Sequence, residues 1–422
     1  MSYVANTSVI KSKTHANGTK NYWNTDEMSK LVTPYQTKRL PVYRWCSYKH
    51  SFSRNLVHHI IDKYGLTEDE KILDPFCGAG TTLLAAKERG ISSIGTDLMP
   101  LSVLASNVKV QKYEKYSMLN LLENFRKESI TIRSDGSYQN FSYIEKYFPK
   151  GSFEIITSLK ESIRQIDEAK FRDFFLLGLL GILEEVSYTK KDGAFLRTVV
   201  KDSIKPVREA FFEKLDSMVS DLDFLNRLPN VYSKAILSDA RETKIASSSI
   251  NAVITSPPYP NRHDYTRIYL LELMVGFIDD YKDVKKLRYN LLRSHVEARE
   301  KYSSSDYVVQ PKLEKVLSEL KSKNLPNRNV INLVDGYFKD MHLFLKEMKR
   351  VLVPGGTLHI VIGDARYGGI NIYAGNYIVE LAKDLGFEHI ETVKARDKGN
   401  SPQQMGKYGK SYSLESIICL QK

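Results

Sequence analysis

Apolar positions recur at helical spacing from Phe52 to Tyr64 (FSRNLVHHIIDKY), which predicts a helix capped by Ser51 or Ser53. KILDPFC then reads as a buried strand, GAGTT as a tight turn and LLAAKERG as a helix closed by Gly90. SSIGTDLM reads as a second strand, followed by a helix from about Pro100 to Val110. Such a βαβα pattern predicts a parallel sheet flanked by helices. The pattern breaks after 110. Stretches such as SLKESIRQIDEAKFRDFFLLGLLGILEEVS and IKPVREAFFEKLDSMVSDLDFL predict a helical insertion over 111–230. Strands resume at KAILSDA and INAVITSPPY, and a charged insertion covers 279–330. A long helix (331–352), the turn PGG, the strand TLHIVIG, a helix near Tyr377 and a closing hairpin complete the chain. The division expected is an extension (1–40), a discontinuous sheet domain (41–110 and 231–422) and the two insertions.

Charge adds a partner to this picture. The 422 residues carry a formal net charge of +12, and such an excess favours a polyanion, because each neutralised phosphate releases a counterion. Cys46, Cys77 and Cys419 are too few and too scattered for a disulfide framework or a zinc site. The most apolar stretch, Phe174 to Leu183, is about half the length of a membrane span, and the polar N-terminus lacks the core of a signal peptide. The expected location is cytoplasmic, beside the nucleoid.

Two motifs carry chemistry. In Asp74-Pro-Phe76-Cys-Gly78-Ala-Gly80-Thr81-Thr82, a glycine turn between strand and helix lets backbone approach a nucleotide closely. Asp97 ends the second strand, where a carboxylate accepts hydrogen bonds from ribose hydroxyls. The turn lacks the third glycine of a dinucleotide fingerprint, which disfavours a nicotinamide oxidoreductase, and no Gly-Lys-Ser/Thr follows for a phosphate loop. In Thr255-Ser256-Pro257-Pro258-Tyr259 two prolines stiffen a strand end and remove two backbone donors. Carbonyl oxygens and Ser256 are left to accept from an NH2 group, and Tyr259 offers a flat face for a base.

Together, DPFCGAGTT followed by TSPPY resembles the amino-methyltransferases of DNA. The resemblance implies a Rossmann-like α/β fold with a mainly parallel seven-stranded sheet, S-adenosylmethionine as cofactor, no metal, and double-stranded DNA as partner. It places Ser256, Pro257, Pro258 and Tyr259 in catalysis. YRWCSYKHSFSRNLV looks like the family's element before the first strand, which puts Trp45, Lys49 and Phe52 near the cofactor's methionine end. Asp74, Phe76, Gly78, Gly80, Thr81, Thr82, Asp97, Leu98 and Thr255 follow as cofactor residues, with Asp239 and Ala240 beside the adenine. NRHDYTRIYLLEL and GNSPQQMGKYG are also similar to bacterial modification methylases. Serine at position 256 is commoner among cytosine-N4 enzymes, aspartate among adenine-N6 enzymes, so N4-methylation is expected. The resemblance also implies a restriction-modification role, with any endonuclease a separate protein.

An aromatic amine is a poor nucleophile, so positioning and electrostatics must supply the rate. The target base must leave the duplex stack. C5 methylation of cytosine needs a Pro-Cys nucleophile, and no cysteine here follows proline. Cys77 reads as a packing residue. Arg262, His263 and Arg267 after the catalytic loop, and Lys190, Lys191 and Arg197 around a glycine turn, are candidate DNA contacts; helix capping or a solvated face would use the same residues. Rival readings are an adenine-N6 enzyme, an RNA base methyltransferase, and a silent DNA-binding scaffold.

Overall fold

The computed structural model describes residues 25–127, 142–193, 195–399 and 402–422. Most of the N-terminal extension, and Asn400 and Ser401 of the GNSPQQMGKYG segment, lie outside them. Seven strands form one sheet: β1 (Lys71–Asp74), β2 (Ser92–Asp97), β3 (Ser233–Leu237), β4 (Ile250–Thr255), β5 (Leu352–Gly363), β6 (Glu388–Gly399) and β7 (Tyr412–Gln421). Their order is β6-β7-β5-β4-β1-β2-β3. The first five strands run parallel, and β7 is antiparallel to both β5 and β6. This is the mainly parallel, Rossmann-like sheet expected.

Side chains alternate between the two faces as the pleat requires. Ile72, Ala252, Ile254, Val361 and Ile417 pack beneath the helix Arg54–Tyr64. Leu73, Val253, Leu358, Ile360 and Ile418 meet Tyr337, Met341, Phe344 and Met348 of the helix Asn329–Val351. The helix Arg54–Tyr64 starts where the Ser53 hydroxyl accepts the Asn55 amide at 3.2 Å and stops at Gly65 with φ 64°.

Segment 111–230 contributes helices Lys115–Lys127, Ser152–Arg164, Ala169–Ile182 and Val207–Ser220. Their apolar core is continuous with Leu83, Leu104 and Ala105 on the sheet's flanking helices and with Leu273 beyond β4. The FFLLGLLGIL stretch lies in the middle of this core. Two short hairpins were not foreseen: Thr189–Asp192 with Phe195–Thr198, and Ala365–Tyr367 with Ile370–Ile372. The second turns on Gly368 and Gly369, both at positive φ, as a tight two-residue hairpin demands. No helix among the described residues is long and apolar enough to cross a membrane.

Candidate active site

Strand order reverses between β1 and β4, which opens a crevice at the carboxyl ends of the parallel strands, the usual ligand position in such sheets. A cleft enclosing about 870 Å³ of space lies there, partly open to solvent. Its wall includes Asp74, Phe76, Gly78 and Thr81 from the β1 turn, Asp97 and Leu98 from β2, Asp239 and Ala240 after β3, and Ser256 and Pro258 after β4. Lys49 and Phe52 arrive from the segment before β1. The two motifs, more than 170 residues apart, thus share one cavity.

The glycine turn is held from three sides. Gly78 adopts φ 47° and Gly80 φ 76°, and a Cβ on Gly80 would stand 2.8 Å from the Ser106 Cα, so the turn tolerates no side chain there. Lys109, fully buried, donates to the Ala79 carbonyl at 2.9 Å and to the carbonyls of Tyr43 and Cys46 at 3.3 and 3.4 Å. Burial brings its pKa down to about 8. Asp97 accepts the Gly78 amide at 3.0 Å and the Met99 amide at 2.9 Å, one on each carboxylate oxygen. Burial nonetheless pushes it up to about 6.

Asp74 ties the glycine turn to the SPPY loop. Its carboxylate accepts the Thr82 hydroxyl and the Thr255 hydroxyl, each at 2.6 Å. Burial raises it to about 6 against these bonds. Thr82, Thr255 and Gly80 are therefore behind the cleft wall rather than in it; they set the turn. Ser256 has one side-chain partner among the described residues, the Tyr259 hydroxyl at 3.4 Å. Tyr259 itself donates to Glu415 on β7 at 2.8 Å and lies against Gly363, where a Cβ would come within 2.7 Å of its ring. Pro257 and Tyr259 stand outside the cleft wall.

Other expected residues lie elsewhere. Trp45 is fully buried, its indole donating to Asp221 at 2.9 Å and its ring edge-on to Phe174, so it packs the core and does not reach the cleft. Asp239 lines the cleft but its carboxylate is held by Arg241 at 2.8 and 3.0 Å and by Lys301 at 3.0 Å. Burial would raise its pKa; Arg241 outweighs that and lowers it. Lys191 is not a free cation for DNA: it is half-buried against Glu272, with Glu184 at 3.6 Å, and those carboxylates raise its pKa despite desolvation. Arg267 is paired with Asp264 at 3.2 Å and Glu297 at 2.5 Å, and Arg197 with Asp192 at 3.2 Å. Arg262 and Lys190 are exposed, Arg262 with φ 71°. Cys77 is buried, and desolvation lifts its thiol pKa, which suits packing rather than reactivity.

Sequence reasoning missed an aromatic wall. Tyr48 stacks between Tyr265 (6.0 Å) and Tyr269 (4.7 Å), and its ring covers Gly78. His50, at φ 63°, stacks on His263 at 4.4 Å. Burial lowers these two to about 3 and about 4, so both imidazoles are neutral near pH 7. Leu291, Leu292 and Ser294 bring the charged insertion into the wall. The aromatic repeat at 265 and 269 was the available signal, being helically spaced and adjacent to the catalytic loop.

The residues fit an adenosyl cofactor: a carboxylate at Asp97, a turn without side chains at Gly78, and apolar surface from Phe52, Phe76, Leu98 and Met99. Among the described residues no cluster of three His, Cys, Asp or Glu side chains has metal-binding geometry.

Comparison with known proteins agrees. A family model described as DNA methylase matches residues 3–106. The type II methyltransferase M.BsoBI of Geobacillus stearothermophilus is 31% identical, over 93% of this chain and 88% of that protein. The type II methyltransferase M.AvaI of Nostoc sp. is 30% identical, over 94% of this chain and 90% of its own length. The type II methyltransferase M.MvaI of Kocuria varians is 23% identical, over 84% of each.

Proposed function

The chain belongs to the type II DNA methyltransferases, and from that premise we propose that it methylates the exocyclic N4 of cytosine in duplex DNA, on a base turned out of the stack, within a restriction-modification system. The observation that carries this reading is the single cleft joining Asp97 and the glycine turn to Ser256 and Pro258. Serine at position 256, rather than aspartate, supports cytosine over adenine.

S-adenosylmethionine, when bound, supplies an electrophilic methyl group on sulfur. The protein's task is to hold the amine against it. Asp97 accepts the ribose hydroxyls, and the Cβ-free turn at Gly78 lets backbone lie against the cofactor. Ser256 Oγ and the Pro257 carbonyl accept the two N–H hydrogens of the amine. Those bonds favour a tetrahedral nitrogen whose lone pair is withdrawn from the ring. Tyr259 stands outside the cleft wall of the free protein, its hydroxyl fixed by Glu415, and presents its ring once the extruded base enters. Asp74, through Thr255, sets the distance between the two halves.

The test is methyl transfer from labelled cofactor to unmethylated bacterial DNA, with nucleosides separated by mass spectrometry. N4-methylcytosine is the expected product, falling on the order of 10²-fold in Ser256→Ala and in Tyr259→Ala. N6-methyladenine would overturn the reading of Ser256 while leaving the site intact. Label in RNA but not DNA would overturn the substrate.

A further inference from the structure

A second, open cleft, spanning about 1330 Å³ with the solvent space it opens onto, is walled by the charged insertion and the start of the helix Asn329–Val351. It adjoins the first through a shared strip of chain: Ser294 lines the catalytic cleft, while its neighbours Arg293 and His295 line the second. The catalytic loop is fastened to this strip, since the Arg262 amide donates to the Ser294 carbonyl at 3.0 Å.

The second cleft holds five cations, Arg267, Lys285, Arg288, Arg293 and Arg299, against two carboxylates, Glu297 and Glu300. Three of the cations are spoken for: Arg267 and Arg288 grip Glu297, and Arg293 donates to Asp340 at 2.7 Å. Lys285 and Arg299 are exposed and have no carboxylate partner among the described residues. Each is instead set on an aromatic face, Arg299 at 3.8 Å over Tyr289 and Lys285 at 5.2 Å over Tyr281. Deeper in, Arg293 Nε is buried without a hydrogen-bond partner. A donor left unsatisfied beside a polar, solvent-open cleft is what an incoming anion would complete.

We propose that this second cleft seats the sugar–phosphate backbone of the DNA strand whose base enters the catalytic cleft, with Lys285 and Arg299 each taking one phosphate. The proposal rests on the reading above for duplex DNA as substrate. Rim cations pinned on rings lose little freedom on binding, and their reach fixes where the strand lies relative to Ser256.

The test uses the full chain and labelled duplex fragments of unmethylated bacterial DNA, with affinity measured from 0.05 to about 0.3 M salt. Lys285→Gln and Arg299→Gln are each expected to reduce the slope of log affinity against log salt by about 0.9, and the double variant by about twice that. Lys282→Gln, an exposed lysine on the same helix that does not line the cleft, should leave the slope unchanged. Slopes for Lys285→Gln and Arg299→Gln equal to that of Lys282→Gln would overturn the proposal while leaving the DNA reading standing. Absence of duplex binding by the unaltered protein would overturn both.

Discussion

Asp97 sits in the cleft wall at the end of β2, with a backbone amide on each carboxylate oxygen. Its place seventeen residues past Gly80 predicts a ribose acceptor. Its pKa of about 6 comes from burial that no local pattern announces. The sign is favourable at neutral pH: above about 6 the group is ionised and accepts hydroxyls, and below it becomes neutral. Affinity for S-adenosylhomocysteine is therefore expected to fall as pH drops from 7.5 to 5, measured by calorimetry, with Asp97→Asn binding weakly and without that pH dependence. A flat profile for the unaltered protein would contradict the role. Trp45 and Lys191 failed for the opposite reason. Each looked available in sequence, but its partner lies far away, Asp221 for one and Glu272 for the other.

Among elements, those bounded by their own signals were read closely: the helix at Pro100–Val110, the capped helix ending at Gly65, and the strands around both motifs. The short hairpins escaped because three or four residues carry too little periodicity. Asp221 joins elements that the sequence leaves unrelated. From the end of the helix Val207–Ser220 it accepts the Val42 amide at 2.9 Å, the Trp45 indole at 2.9 Å and the Arg44 guanidinium. It thereby anchors the segment that continues into Tyr48, Lys49 and His50 at the cleft. Asp221→Ala leaves two buried donors unpaired and is expected to cost about 3 kcal/mol in denaturant unfolding. Cofactor affinity should weaken with it. A loss below about 0.5 kcal/mol would show that water replaces the carboxylate.

For the whole molecule, the parallel sheet followed from the βαβα pattern and the joining of the two motifs in one site from the family resemblance, whereas the packing of segment 111–230 followed from neither. Its helices bury their apolar faces against the sheet's own flanking helices, and amphipathicity cannot name the surface it will meet. Acid stability is also a property of the whole. Four histidines spread through the structure, His50, His59, His263 and His359, are held by burial at about 3 to 4. Their contribution is lost as pH falls from 6.5 towards those values, because the unfolded chain binds protons more readily. Asp74, Asp97 and Asp364, raised to about 6, act in the other direction, losing stability as pH rises through 6. The histidines have the larger shifts and the greater number, so the melting temperature should fall between pH 7 and pH 5. A rise would show the carboxyls dominate. The Tyr259–Glu415 bond has a consequence for timing. The residue that steadies the catalytic loop lies 156 positions later, on the strand that fills the gap between β5 and β6. At ordinary translation speeds a ribosome needs roughly 10–30 s to cover that distance. On the role proposed for Tyr259, a nascent chain therefore carries its glycine turn and its SPPY loop well before it can methylate anything, and the cell's DNA gains a working modifier only when β7 has been made and inserted.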